Sequence, residues 1–335
     1  MGVTLSRDPA SNNIRTPSAV HVAFGVDTNY FRGMGVNIVS IVKNNPDMVF
    51  VFHVFSFSIT DDNRRRLKEL ESNCGTSIVI HILNPDMLSE FSQFPCFSQH
   101  SLGTFVRILI PNLLDGITDK VLYLDADILC MGKFQELLSV EMDNCIAAVV
   151  HDELETTVAT QAAALNLKYR EYFNAGVMYI DVNNWIAHDT QDKALIILLT
   201  KELRFADQDA LNVVLNGHAK YIENKWNYRY HLVDFLSKGR TQLDIAEPFV
   251  FIHFTGPVKP WQAWCLHEAK SVFIEYQSMS SWADMPLDQP KNARELKLFS
   301  KFLIKQNRVA EGIGWHIKYL WVRCIRDIKN MSGHK

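Results

Sequence analysis

Two apolar rhythms take turns along the first half of the chain. "AVHVAFGVD" (19–27) is an almost unbroken apolar run that stops at Asp27. "MVFVFHVFSF" (48–57) and "SIVIHILN" (77–84) repeat the form. Runs this continuous suit strands covered on both faces of a sheet. Between them, "FRGMGVNIVSIVKNN" (31–45) spaces its apolar residues by three and four, the spacing of a helix with one buried face. "TDDNRRRLKELES" (60–72) does the same, with Thr60 or Asp61 as its N-cap. Strands alternating with helices predict an α/β fold with a doubly wound, mostly parallel sheet.

The alternation continues. "SLGTFVRILIPNLL" (101–114) reads as helix and "DKVLYLDAD" (119–127) as strand. "CIAAVV" (145–150), "AGVMYIDV" (175–182) and "FVFIHF" (249–254) are further strands. "NNWIAHDTQDKALIILLTKEL" (183–203) and "DQDALNVVLNG" (207–217) read as helices. Open α/β sheets bind ligands beyond the carboxyl ends of their strands. Asp27, Asp125 and His253 fall at or just past such ends, so three strands are expected to deliver polar groups to one edge.

After Pro260 the strand pattern stops. Residues 266–289, with "SMSSWADMPLDQP", read as a turn-rich linker, and 291–305 and 312–329 as helices. On a helical wheel the last helix collects Ile313, Ile317, Leu320, Trp321, Cys324, Ile325 and Ile328 in one arc. Lys318, Arg323, Arg326 and Lys329 lie on the other, with Trp315, Tyr319 and Val322 among them. Charge sharpens this. The whole chain of 335 residues carries a net −3, but residues 291–335 hold 11 Lys/Arg against 3 Asp/Glu. An acidic body with a basic tail that ends in an amphipathic helix predicts contact with an anionic membrane surface. The alternative is an ordinary helix packed on the body. No run reaches the roughly 18 apolar residues a span requires, and the N-terminus lacks an apolar signal-peptide core. Six cysteines without metal spacing suit reduced cytosolic thiols. The protein is expected to stay in the cytosol or to lie against its membrane. No nucleic-acid partner is expected.

Candidate chemistry begins with Asp125 and Asp127. Side chains two apart on a strand share a face. Where the strand ends, the chain can turn both toward one cation. Hard divalent ions such as Mg²⁺ or Mn²⁺ take carboxylate oxygens and keep positions open for phosphate. Strand-end aspartates also cap following elements. In "FIHFTGPVKPW" (251–261), His253 offers an imidazole, Gly256 allows close backbone approach and Lys259 is a point charge for phosphate. In "YFNAGVMYID" (172–181), Asn174, Ala175 and Gly176 offer an amide and a flat backbone before the strand. Asp207, Gln208 and Asp209 open a helix, where carboxylates cap free N–H groups, but three polar groups in a row exceed what a cap needs.

In order, "AFGVDTNY", "TFVRILIP", "LYLDADI", "YFNAGVMYID", "DQDALN" and "HFTGPVKPW" resemble glycosyltransferase family 8, over about residues 20–262. The nearest resemblance within it is to the bacterial lipopolysaccharide core glucosyl- and galactosyltransferases. That resemblance implies a GT-A nucleotide-sugar fold over 19–265, after a flexible arm over 1–18 and before a helical, basic extension over 266–335. It implies Mg²⁺ or Mn²⁺ held by Asp125, Asp127 and His253. Donor contacts are then Asp27, Asn29, Tyr30, Arg107, Asp125, Ala126, Asn174, Ala175, Gly176, Gly256 and Lys259. Asp207, Gln208 and Asp127 lie at the reacting sugar, and Asp209 is left as a cap. The implied activity is transfer of a hexose, glucose preferred over galactose, from a UDP-sugar to the lipopolysaccharide core, α-1,2 or α-1,3 and with retention. The acceptor is expected along 151–172 and near Trp261 and Trp264. Two other readings are a soluble-oligosaccharide transferase of the same fold and a non-catalytic sugar-nucleotide-binding protein. A dinucleotide oxidoreductase is not expected, because no GxGxxG follows the first strand.

Overall fold

In a computed structural model of the chain, residues 6–7, 19–84, 86, 102–152, 155–245 and 248–332 are described. Most of the arm over 1–18 lies outside them. The strands are β1 (Ser6–Arg7), β2 (Val20–Gly25), β3 (Phe50–Ser56), β4 (Ser77–Ile82), β5 (Lys120–Leu124), β6 (Ile128–Cys130), β7 (Ala147–His151), β8 (Phe173–Asp181), β9 (Ala219–Ile222), β10 (Tyr228–Arg229) and β11 (Phe251–His253). The main sheet runs β1-β4-β3-β2-β5-β8-β7-β9. Pairs β2–β3, β3–β4, β2–β5 and β7–β9 are parallel. The chain winds outward from β2 through β3 to β4, then returns to set β5 on the other side of β2. That reversal opens a crevice at the carboxyl ends of β2 and β5.

The sheet is mostly parallel, as expected; β8 runs antiparallel to both β5 and β7, and β1 to β4. The apolar run "AGVMYIDV" would look the same in either direction. His253 ends β11, which pairs antiparallel with β6 in a separate small sheet. Two strands of the main sheet and one of the small sheet therefore supply the three predicted polar ends.

The chain divides into two compact units, interleaved in sequence. The first holds residues 1–228, 247–253 and 280–282. Its core is the sheet with its covering helices; Val22, Phe24, Phe52, Val54, Leu122 and Leu124 have no exposed surface. Thr60 caps the Asp61–Cys74 helix, its hydroxyl accepting from the Asn63 N–H. The predicted long helix from 183 is two, Val182–Ala187 and Thr190–Thr200, parted where Asp189 takes a left-handed φ of 51°. Trp282 is buried in this unit.

The second unit holds residues 229–246, 254–279 and 283–335. The stretch read as linker contains a helix, Ala269–Ser278. Trp264 is fully buried with its ring stacked on Phe302, and Trp261 is buried against Phe273. Both belong to this core rather than to an open face. The Ala293–Lys305 and Val309–Ser332 helices pack along one another. Ser300 Oγ donates to the Gly312 carbonyl, the Phe299 and Trp315 rings meet, and Tyr319 is buried. The opposite arc faces outward: Ile313, Ile317, Leu320 and Trp321 are 51, 62, 44 and 64% exposed.

Candidate active site

The site grows from the end of β5. Its side chains alternate, so Tyr123 shares a face with Asp125, and the Tyr123 hydroxyl donates to Asp125 Oδ1 at 2.7 Å. Arg107, from the Leu102–Leu113 helix, reaches the same oxygen with Nη2 at 3.0 Å and covers the Tyr123 ring at 5.1 Å. Asp125 Oδ1 is thus engaged twice, leaving Oδ2 toward His253. The strand ends at Leu124, and a turn at Ala126 and Asp127 brings the second carboxylate round.

His253 Nε2 stands 3.2 Å from Asp127 Oδ1 and 3.7 Å from Asp125 Oδ2. One donor atom from each residue lies within 4.8 Å of the others. Neighbouring ligands of an octahedral ion with bonds of ~2.1 Å are ~3 Å apart. The three groups therefore fit a hard divalent ion such as Mg²⁺ or Mn²⁺ with little movement, and leave positions open. Gly176 makes room for this. A Cβ there would lie 2.3 Å from His253 Cε1, so any other residue would push the imidazole away. His253 Nδ1 faces Asn227 Oδ1 at 3.0 Å.

Beside the cluster is a cavity of about 280 Å³ lined by Gly25, Asp27, Tyr30, Gly103, Arg107, Tyr123, Asp125, Ala126 and Asp127. Asp27 accepts from the backbone N–H of Asn29 at 2.9 Å; the Asn29 side chain is exposed and outside the lining. Burial raises the Tyr30 pKa, and the carboxylates of Asp127, Asp27 and Asp125 raise it further. Its phenol stays neutral, an aromatic face with a donor beside three acids.

Asp207 opens the Ala206–Val214 helix. The preceding Ala206 has φ 35°, strain of ~1–3 kcal/mol for a residue with a Cβ. Asp207 Oδ2 lies 2.7 Å from Arg107 Nε, yet neither buried atom makes a hydrogen bond. Burial raises the Asp207 pKa to about 6 even against the pull of Arg107. Burial lowers that of Arg107, but Asp125 and Asp207 outweigh it and keep it above its ordinary value. Arg107 Nη1 also donates to the Ala175 carbonyl at 2.7 Å, so one guanidinium joins β5, β8 and the Asp207 helix.

Gln208 is fully committed. Its Oε1 accepts from Asn174 Nδ2 at 3.0 Å and the Ala175 N–H at 3.2 Å; its Nε2 donates to the Tyr172 hydroxyl at 3.0 Å. Asn174–Gly176 lie inside β8 rather than before it. Asp209 does more than cap. It accepts from the backbone N–H groups of Arg204 and Phe205, from Gln161 Nε2 and from the Tyr172 hydroxyl. Gly256 and Lys259 belong to the second unit. Gly256 has φ 85°, open to glycine alone at little cost, and Lys259 is buried with Nζ donating to the Phe254 carbonyl at 2.7 Å.

Sequence reasoning missed Tyr123, Tyr172 and Asn227. Tyr123 was within reach, two residues before Asp125 on one strand face. For Asn227 there was no signal: it is a loop residue 26 positions from His253, the side chain it meets.

A mostly parallel sheet with an Asp-x-Asp turn and a converging histidine at its switch point is the arrangement of the GT-A glycosyltransferase fold. Residues 21–265 match the model of glycosyl transferase family 8, and 269–322 match that family's C-terminal model. The chain belongs to glycosyl transferase family 8. It is 31% identical to a lipopolysaccharide 1,3-galactosyltransferase of Salmonella typhimurium, over 89% of this chain and 90% of that one. It is also 31% identical to a lipopolysaccharide 1,2-glucosyltransferase of Escherichia coli K12, over 92% of each. Among solved structures, the galactosyltransferase LgtC with donor and acceptor sugar analogs matches with a TM-score of 0.66 at 24% identity, covering 78% of this chain and 96% of that one. The bifunctional glycosyltransferase WbbM matches at 0.65, covering 82% and 51%. These likenesses carry the fold.

Proposed function

We propose that the protein is a metal-dependent, retaining α-glycosyltransferase that moves a hexose, glucose in preference to galactose, from a UDP-sugar to the lipopolysaccharide core. One observation carries the reading: Asp125, Asp127 and His253 converge on one point beside a cavity that offers Asp27 and Tyr30. The cavity suits a uridine, with Tyr30 against the base and Asp27 as acceptor. The cluster suits a diphosphate bridged to the protein by Mg²⁺ or Mn²⁺. Gly256 and Lys259 are assigned to the diphosphate by family resemblance. The relatives use galactose and glucose at equal identity, so likeness does not separate the two donors.

When bound, the ion would stabilise negative charge on the departing UDP, the largest catalytic contribution available here. The chain's residues do the rest. Arg107 holds Asp125 and Asp207 on either side of the sugar's position. Asn174–Gly176 give the sugar a flat edge. Gln208 is a poor nucleophile because both its amide atoms are already hydrogen-bonded. Asp207 has Arg107 against it. This supports front-face attack, in which the leaving phosphate oxygen takes the acceptor hydroxyl's proton.

A second cavity, of about 940 Å³, lies between the end of β7 and the Glu155–Ala164 helix, lined in part by His151, Asp152, Lys168 and Arg170. Asp152 N–H donates to the Tyr172 carbonyl, two steps from Gln208, so this is the side assigned to the acceptor. The exposed apolar arc of the last helix, with Lys318 and Arg323 beside it, is assigned to the anionic cytosolic face of the inner membrane. No described helix is long and apolar enough to cross a membrane.

The test is incubation with truncated core lipopolysaccharide, Mn²⁺ and each UDP-hexose, followed by product mass and linkage. A hexose added to the core in an α linkage is expected. Efficient transfer to a free oligosaccharide without lipid would favour the soluble-transferase reading. No UDP release with any acceptor would favour a binding protein.

A further inference from the structure

Six side chains, one from each of six positions scattered over the first unit, form a single line of hydrogen bonds from the buried Asp209 to His253. The direction of every bond in it can be deduced. Backbone N–H groups only donate, so the Ala175 N–H identifies the Gln208 atom it meets as Oε1, and the Gly176 N–H identifies the Asn174 atom it meets as Oδ1. The Asn174 amide nitrogen then donates to Gln208, and Gln208 Nε2 donates to the Tyr172 hydroxyl. Tyr172 in turn donates to Asp209, whose carboxylate also takes two backbone N–H groups. At the other end, Asn227 meets two oxygens of Asn174, its Oδ1 at 3.0 Å and its carbonyl at 3.4 Å, so the atom facing them is Nδ2. The Asn227 oxygen therefore faces His253 Nδ1 at 3.0 Å. An amide oxygen only accepts, so Nδ1 carries a proton, and Nε2 is the nitrogen turned toward Asp125 and Asp127.

We infer that Asn227 is a positioning residue: it holds the proton of His253 Nδ1 and so reserves Nε2, turned toward Asp125 and Asp127, for the ion. The inference rests on the proposed metal role of His253. The opposite tautomer requires Asn227 to turn its oxygen onto two oxygens of Asn174. Relieving that requires Asn174 to abandon the Gly176 N–H, and then Gln208 to abandon the Ala175 N–H. Each step costs a backbone N–H of β8 its acceptor. Asn227 itself is 1% exposed and does not reach the cluster, so its effect passes through the ring it orients. Bonds aligned head to tail also polarise one another, which draws the Nδ1 proton toward Asn227 and makes Nε2 a better donor to a cation.

The experiment uses the full chain labelled with ¹⁵N-histidine, free of metal and then saturated with Mg²⁺. The His253 ring is expected to keep its proton on Nδ1 in both states and to carry none on Nε2 with the ion bound; a bare Nδ1 in either state overturns the inference. Mn²⁺ titration of variants is the second arm. Asn227→Leu should weaken Mn²⁺ binding by about ten- to a hundredfold, the usual cost of losing a ligand's hydrogen-bond partner. Asn227→Asp keeps an acceptor for Nδ1–H but sets its second oxygen against Asn174, so it should melt lower than Asn227→Leu and still bind Mn²⁺ more tightly, a ranking that a purely structural role reverses. Binding by the aspartate variant no tighter than by the leucine variant, or no loss in the leucine variant, overturns the inference. If the wild-type chain binds no Mn²⁺, the metal reading fails instead, and the tautomer measurement alone decides the role of Asn227.

Discussion

The Nε of Arg107 stands 2.7 Å from Oδ2 of Asp207, and neither buried atom makes a hydrogen bond. The two form a buried ion pair. The Asp207 carboxyl is raised to about 6 by burial, from an ordinary value near 3.8. Between those values the folded chain holds a proton that the unfolded chain has released, so this group's contribution to stability falls as pH rises through the window. Asp207→Asn should therefore flatten the pH dependence of stability between about 4 and 6, measured by denaturant unfolding at several pH values. Front-face attack predicts that the same variant keeps substantial transfer activity. Complete loss with donor binding intact would point to Asp207 as a covalent nucleophile.

Tyr123 donates to Asp125 from a fully covered position at the end of β5. Its hydroxyl is raised above its ordinary range chiefly by burial, so it remains a donor across physiological pH. Tyr123→Phe removes that donor and leaves the ring under Arg107. Mn²⁺ affinity should fall by about tenfold or more, as for other partners of metal ligands, with little change in melting temperature. Unchanged affinity would mean that Arg107 alone orients Asp125.

Three histidines cross the first unit side by side on β2, β3 and β4. His21 Nδ1 lies 2.9 Å from His53 Nε2, and His53 Nδ1 lies 3.0 Å from His81 Nε2. Each contact needs one N–H and one bare nitrogen. The row can take one extra proton at an end, but a second one turns a hydrogen bond into two facing donors. Burial lowers the His21 pKa below 6.5. Its contribution is thus present above the unfolded value and lost as pH falls below it. Acidification from pH 7.5 to 5.5 should destabilise the wild type, and His21→Phe should lessen the slope. An unchanged slope in the variant would remove the row as the cause.

Much of this was legible because strand faces alternate and loops gather at strand ends. The strands carrying Asp27 and Asp125 could be read from apolar runs, as could the helix bearing Arg107. Direction was not legible: β8 packs the same apolar faces whether parallel or antiparallel, so its reversal left no mark. The three residues of β6 are too few to show a period, and without β6 the separate sheet that carries His253 is invisible. The break at Asp189 depends on a left-handed backbone that aspartate tolerates without announcing it. Asn227 and Tyr172 act through contacts spanning 26 to 53 residues, which local pattern cannot encode.

The last helix turns its apolar arc outward, the reverse of a helix that packs by its apolar side. Tyr319 and Gly312 face the neighbouring helix, and Lys297 Nζ covers the Tyr319 ring at 5.6 Å. Ile313, Ile317, Leu320 and Trp321 are exposed together, with Lys318 on one flank and Arg323 on the other. Water meets that arc at a cost of ~25 cal/mol per Å² of apolar surface. Insertion to the depth of lipid headgroups recovers part of it, and each flanking cation near an anionic surface adds ~1 kcal/mol. Ile317→Ser with Trp321→Ser should abolish sedimentation with vesicles rich in phosphatidylglycerol and leave the melting temperature unchanged, because neither side chain is packed. Binding of the wild type should weaken as salt rises, since the cationic share is screened over ~8 Å at physiological ionic strength. Transfer to a lipid-free acceptor should be unaffected in the variant. If the variant instead loses cooperativity on melting, the arc is an internal contact surface and the membrane assignment fails.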